Sequence, residues 1–116
     1  MRIFVTTEFE GLHRWADAPE ETAFLRQFHR HLFRVRLEIE VRHDDRELEF
    51  FKTKKGLNHA IKVVIDHNDA GSCEQIAIRL LEYFTARLQG RQMICEVSED
   101  GENGAVVFAN RKGDIF

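Results

Sequence analysis

Proline is almost missing from the chain: Pro19 is the only one in 116 residues. That excludes Pro-rich linkers and polyproline segments. Cysteine is scarce as well. Cys73 and Cys95 form no CxxC and are too few for a disulfide framework. We expect two free thiols and a reducing, cytoplasmic setting. One Trp and one Tyr leave ten Phe to supply the aromatic packing. No apolar run approaches the roughly 18 residues of a membrane span; Ile61 to Ile65 already contains Lys62. The start, Met1-Arg2-Ile3-Phe4-Val5, turns polar at Thr6 and Thr7, unlike a signal peptide. No membrane partner is expected. Neither sign of charge dominates, with 17 Lys and Arg against 20 Asp and Glu and a net charge of −3. Nucleic-acid binders are usually basic, so no nucleic-acid partner is expected.

What is present reads as one globular domain over residues 1–116. Hydrophobic residues make up 43 % and charged residues 32 %, which excludes a disordered or fibrous chain. A domain of this length buries roughly two thirds of its unfolded surface, enough for one core.

The hydrophobic periods change along the chain. Residues 2 to 14 alternate, with Ile3, Val5, Phe9 and His13 on one parity and Arg2, Thr6, Glu8 and Arg14 on the other. Residues 29 to 42 alternate more cleanly: Phe33, Val35, Leu37, Ile39 and Val41 against Arg34, Arg36, Glu38, Glu40 and Arg42. Both read as strands with one buried face. Residues 15 to 27 between them read as a loop with one helical turn, and 43 to 46 as a turn. A helix is expected from Glu49 or Phe50, with Phe50, Leu57, Ile61 and Val64 near one stripe despite Gly56. After a loop at 66 to 71, Ser72 and Gln75 make a capping box. It opens a second helix with the stripe Ala77, Leu80, Leu81, Phe84 and Leu88, stopped by Gly90. Gln92 to Ser98 and Gly104 to Ala109 read as two further strands, joined by a turn at 99 to 103. The tail from Asn110 is expected to fray, except at Ile115 and Phe116. The fold class is α+β, in the order β-β-α-α-β-β: a four-stranded antiparallel sheet with two helices on one face.

Histidine, present six times, marks the candidate chemistry. His29 and His31 are two apart on a strand, so both imidazoles share one face. His13 closes the apolar parity of the strand expected to pair with it. Three His from two strands would hold a zinc with one position open. The same pattern also suits three partly buried, hydrogen-bonded histidines, and spacing alone does not choose.

A set of motifs bears on that choice. Phe9-Glu10-Gly11-Leu12-His13-Arg14-Trp15 is followed by His29-Arg30-His31-Leu32-Phe33-Arg34-Val35, then by Ile65-Asp66-His67, Gly71-Ser72-Cys73-Glu74-Gln75 and Cys95-Glu96-Val97-Ser98-Glu99-Asp100. The series resembles the 6-pyruvoyltetrahydropterin synthase family, which includes the bacterial 6-carboxytetrahydropterin synthases of queuosine biosynthesis. There the motifs read F-x-A-A-H-R-L, H-G-H-x-Y/F-x-V, L-D-H, P-T-x-E-N and V-x-V-x-E-T. Leu48 to Lys55 is a looser match to V/I-x-D-F-x-x-L-K. The resemblance spans about residues 3 to 108. It implies the tunnelling fold, a trimer or hexamer with sites at interfaces, and zinc on His13, His29 and His31. It also implies a pterin substrate held by Glu99, with Ser72 and Cys73 giving backbone donors, and Asp66 and His67 as a proton-handling pair. The family's substrate is dihydroneopterin triphosphate.

The chain also departs from that pattern. The family's catalytic Cys lies four residues ahead of the first His of H-G-H, and here that position is Leu25. Glu20, Glu21 and Cys95 are candidate substitute bases. Arg30 replaces the Gly of H-G-H, and the loop after Asp66-His67 is short. Two further readings therefore stand beside a zinc-dependent pterin lyase. One is a catalytically impaired relative that binds a pterin or purine-like ligand. The other is an electrostatic binding module built on Arg30, Arg34, Arg36 and Arg42, a row interrupted by Glu38 and Glu40.

Overall fold

The computed structural model describes all residues from Met1 to Phe116. The elements run β1 (Arg2–His13), a short 3-10 helix (Glu20–Arg26), β2 (His29–Glu40), α1 (Phe50–Val64), α2 (Cys73–Arg87), β3 (Met93–Glu99) and β4 (Asn103–Ala109). The strands form one antiparallel sheet in the order β1-β2-β3-β4. This is the expected α+β fold with the order β-β-α-α-β-β.

Alternation decides which face of the sheet is covered. In β2, Phe33, Val35, Leu37 and Ile39 are fully buried, while Arg34 between them and Arg30 before them are exposed. The inward rows of all four strands join Leu57, Ala60 and Ile61 of α1 and Ile76, Ala77, Leu80, Leu81 and Phe84 of α2 in one core. A fully buried aliphatic or aromatic side chain contributes about 1.5–3 kcal/mol. The helices therefore stay on the inward face because their apolar stripes have no other partner.

Local signals set the helix starts. Ser72 Oγ accepts from the Gln75 N–H while Gln75 Oε1 accepts from the Ser72 N–H, so the expected capping box is present. Glu49 caps α1 by accepting from the Phe51 and Lys52 N–H groups. Gly56 is accommodated mid-helix, since a Cβ there would meet nothing.

Three details differ from the sequence reading. First, β3 runs one residue further, to Glu99, which pairs with both Phe33 and Asn103. The turn shrinks to Asp100, Gly101 and Glu102, with Asp100 and Gly101 at φ of 57° and 77°. Second, the helical turn allowed in the segment after β1 is a seven-residue 3-10 helix. It is fastened by the Trp15 N–H donating to the Leu25 carbonyl (2.7 Å) and Arg26 Nε to the Ala18 carbonyl (2.7 Å). Third, the tail does not fray. Asn110 Oδ1 accepts from the Lys112 and Asp114 N–H groups, and Phe116 exchanges two backbone hydrogen bonds with Phe108. The polar turn at Asn110 thus folds the last residues back along β4. No helix is long and apolar enough to cross a membrane.

Candidate metal centre

The β1–β2 register builds the site. His13 pairs directly with His29, and Gly11 with His31, so three imidazoles meet on the inward face at the end of the sheet. Ring centroids are 4.6 Å apart for His13–His29 and 5.0 Å for the other two pairs. One ligand nitrogen from each ring lies within 4.8 Å of the others. Gly11 opposite His31 keeps the space clear, because a Cβ there would press on the Phe33 and Phe9 rings at 3.2–3.3 Å.

Each ring is oriented from behind. His13 Nδ1 donates to the Gly71 carbonyl (2.8 Å) and His29 Nδ1 to the Gln27 carbonyl (2.9 Å). His31 Nδ1 donates to Asp100 Oδ2 at 2.7 Å. All three partners are acceptor oxygens, so each Nδ1 donates and the neutral imidazole presents its lone pair at Nε2. Metal-ligating histidines are held in this way. The loop after α1 makes the first contact possible. Leu12 bonds to it through the His67 carbonyl and the Ala70 N–H, both at 2.8 Å, and Gly71 follows at φ 88°. A proline, which the resemblance would put at this position, cannot adopt that φ.

Glu99 completes the cluster. Its Oε1 lies 3.4 Å from His13 Nε2 and its Oε2 3.5 Å from His31 Nε2. These contacts are ion pairs when the imidazoles carry a second proton, and a cation among the rings serves the same end. The three imidazoles, with a ligand nitrogen from each within 4.8 Å of the others, are a donor set that a divalent cation fits. Tetrahedral zinc with Zn–N of about 2.0–2.1 Å sets nitrogens about 3.3–3.4 Å apart, within reach of small side-chain adjustments. His13 is 8 % exposed and the other two rings are half-buried, so one side of the cluster is open.

That side faces a cleft of about 710 Å³, lined by His13, His29 and Glu99 together with Trp15, Leu25 and the start of α2. Of the expected site residues, Ser72, Cys73 and Glu99 are brought together with the histidines here. Burial, aided by the charges of Glu99 and Glu74, pushes the Cys73 thiol up to about 12, so it stays protonated. Leu25, standing where the resemblance would have a thiol, lines the same cleft.

Asp66 and His67 do not line it. Asp66 Oδ1 accepts from the Asn68 N–H at 2.9 Å, and the His67 ring packs on Phe9 with centroids 5.2 Å apart. The two side chains are not bonded to each other. Asp69, three residues on from Asp66, is the carboxylate of this loop that reaches the cleft. Among the candidate substitute bases, Cys95 is sealed in the core between Leu37 and Val107, its thiol pushed up to about 12 by burial. Glu20 and Glu21 are exposed on the 3-10 helix, outside the cleft.

Sequence reasoning gave no role to Asp100, Gly71 or Asp69. Asp100 was legible as an acid next to an inward-facing Glu; the roles of Gly71 and Asp69 depend on how the loop folds back on Leu12. The outer arginine row is largely compensated, with Arg30 at 3.4 Å from Glu10, Arg34 at 3.8 Å from Glu8 and Arg36 at 3.4 Å from Glu38. No protein-family model and no curated protein matches the chain.

Proposed function

We propose that the chain is a zinc-dependent enzyme acting on a reduced pterin, of the 6-pyruvoyl- or 6-carboxytetrahydropterin synthase type. The observation that carries this reading is the triad of histidines, each with Nδ1 tied to an acceptor and with a ligand nitrogen from each within 4.8 Å of the others. His13, His29 and His31 would hold the zinc. Bound there, zinc supplies Lewis acidity, lowering the pKa of a coordinated hydroxyl and polarising a carbonyl. The remaining roles belong to the chain. Glu99 can accept two hydrogen bonds from the planar amino-pyrimidine edge of a pterin. The start of α2, with Ser72 and Cys73, can offer backbone N–H groups. The cleft walls, including Trp15 and Leu25, limit the water around the ligand.

Homo-oligomerisation belongs to the same reading. β1 and β4 are sheet edges, and Phe4, Val106 and Phe108 are exposed on the outer face of those strands. Apart from Leu12, bonded to the loop after α1, and the Phe108–Ala109 end, covered by the tail, these edges are unpaired, and unpaired edges with apolar neighbours favour joining sheets between copies. A site at such an interface would also give His67 of one copy a route to the cleft of another. A trimer or hexamer is expected. A stable 13.6 kDa monomer at about tens of micromolar in sedimentation would contradict it.

A second reading is a relative that binds a pterin or purine-like ligand without turning it over. It is favoured by Leu25 in the cleft and by the commitment of Asp66 to the Asn68 N–H.

The test begins with metal analysis of untagged protein, where one zinc per chain is expected. Free zinc at about 100 times Kd should add roughly 2.7 kcal/mol of stability, removable by a chelator. Failure to take up any transition metal after reconstitution sinks the metal centre. Turnover of dihydroneopterin triphosphate by zinc-loaded protein then separates enzyme from binder.

A further inference from the structure

Consecutive carboxylates grip opposite nitrogens of one imidazole. Glu99 Oε2 stands 3.5 Å from His31 Nε2, on the ligand side, and Asp100 Oδ2 stands 2.7 Å from His31 Nδ1, behind it. The other two histidines lean on neutral backbone carbonyls. Only His31 has a charged partner at its back.

We propose that Asp100 is the positioning residue of the metal centre, fixing the His31 ring and tautomer and strengthening its Nε2 as a ligand. This rests on the metal reading above. The carboxylate is well placed for the task because it is itself held. Its Oδ1 accepts from the Leu32 N–H at 2.9 Å, and the Asp100 N–H donates to the Leu32 carbonyl at 2.8 Å. Both carboxylate oxygens are engaged, so the side chain cannot swing away without breaking two bonds. The backbone at φ 57° is a left-handed conformation that Asp and Asn tolerate better than most residues. The resemblance would put Thr at this position, which carries no charge to share with an imidazole. A charge-assisted bond to Nδ1–H pushes electron density toward Nε2, and loss of such outer partners typically lowers metal affinity about 10–100-fold.

The experiment uses the full chain and zinc alone, with affinity read by competition against a chromophoric chelator. Asp100→Asn keeps an acceptor for the Leu32 N–H and suits the left-handed backbone, but it removes the charge and sets an amide NH2 where Oδ2 accepted from His31. It should bind zinc about 10–100-fold more weakly while the metal-free protein still melts cooperatively as a folded chain. Glu102→Gln, which removes a neighbouring charge with no contact to a histidine, should bind as wild type. Asp100→Ser is the second variant, and cobalt substitution the second measurement. In both variants the visible bands of the cobalt-loaded protein should shift as the His31 ring loses its fixed angle, a change that general loss of stability does not produce. Equal zinc affinity and identical cobalt spectra in Asp100→Asn and wild type overturn the role. A wild type that takes up no zinc removes the metal centre itself, and the role of Asp100 with it.

Discussion

Glu99 Oε1 lies 3.4 Å from His13 Nε2, and both atoms are acceptors when the imidazole is neutral. Positive charge between or beside them makes the contact favourable, and a proton on the imidazole, a metal or a ligand's N–H groups can provide it. Glu99 thus stands between the metal-facing nitrogens and the cleft, where a substrate's donor edge would meet it.

Removing that carboxylate should therefore be felt first in ligand binding. Loss of a charged hydrogen-bond partner costs roughly 1.5–3 kcal/mol. Glu99→Ala should weaken neopterin binding to zinc-loaded protein at least about tenfold by calorimetry. Equal binding by variant and wild type would show that the pocket is assigned wrongly.

Trp15 provides an independent readout. It is the only tryptophan, it is 52 % exposed, and it lines the cleft that holds His13 and His29. A paramagnetic ion at the histidines should quench its emission, and a diamagnetic ion should not. Cobalt titration should give a saturable loss of fluorescence that zinc competes away, and His29→Ala should abolish it. Quenching that persists unchanged in His29→Ala would place the ion elsewhere.

The legibility of this structure in its sequence follows the range of each interaction. The strict alternation from Phe33 to Val41 and the Ser72–Gln75 box are local patterns, and the strand and helix they announce are present. The histidine cluster was also legible, because period 2 and antiparallel pairing place His13 against His29. What was not legible depends on loops folding back. Asp66 and His67 are adjacent in sequence, but the Leu12 backbone takes the His67 carbonyl and the Asn68 N–H takes the Asp66 side chain, so adjacency does not make a pair. The tail was read as frayed because its sequence is polar, whereas Asn110 satisfies its turn with side-chain hydrogen bonds.

Two carboxylates far from the cleft contribute to the response to acid. A hydrogen bond from Arg111, then one from the Gln92 N–H, holds Glu40 down from 4.5 to about 2. Arg91, then the Arg42 N–H, does the same for Glu47, also to about 2. Their folded values lie below the unfolded ones, so their stabilisation is complete above pH about 4.5 and is lost as pH falls toward about 2. The Glu40→Gln/Glu47→Gln double variant should melt below wild type at pH 7, and the gap should close as pH falls through that window. A gap that stays constant down to pH 2 would show that these pairs are not coupled to folding.

Catalysis is the sharpest test of the functional proposal, because the cleft has candidate metal ligands but a leucine where the resemblance would put a thiolate base. Losing a positioned base removes typically about 10²–10⁴-fold of rate, while the Lewis acidity of a bound zinc is untouched by it. Wild type should therefore turn over dihydroneopterin triphosphate slowly, and side-chain cleavage, which needs one proton acceptor, should outrun a full rearrangement. Leu25 lines the cleft, so Leu25→Cys puts a thiol within it and should raise the rate. The His67 ring rests on Phe9, outside the cleft of its own chain. His67→Ala therefore tests whether His67 reaches a cleft through assembly. A fall in rate, with zinc content and melting unchanged, supports an interface site. Robust turnover indifferent to His67→Ala would remove that residue from the mechanism. No turnover in wild type, Leu25→Cys or His67→Ala, with neopterin still bound through Glu99, would make the chain a pterin-binding protein and not a lyase.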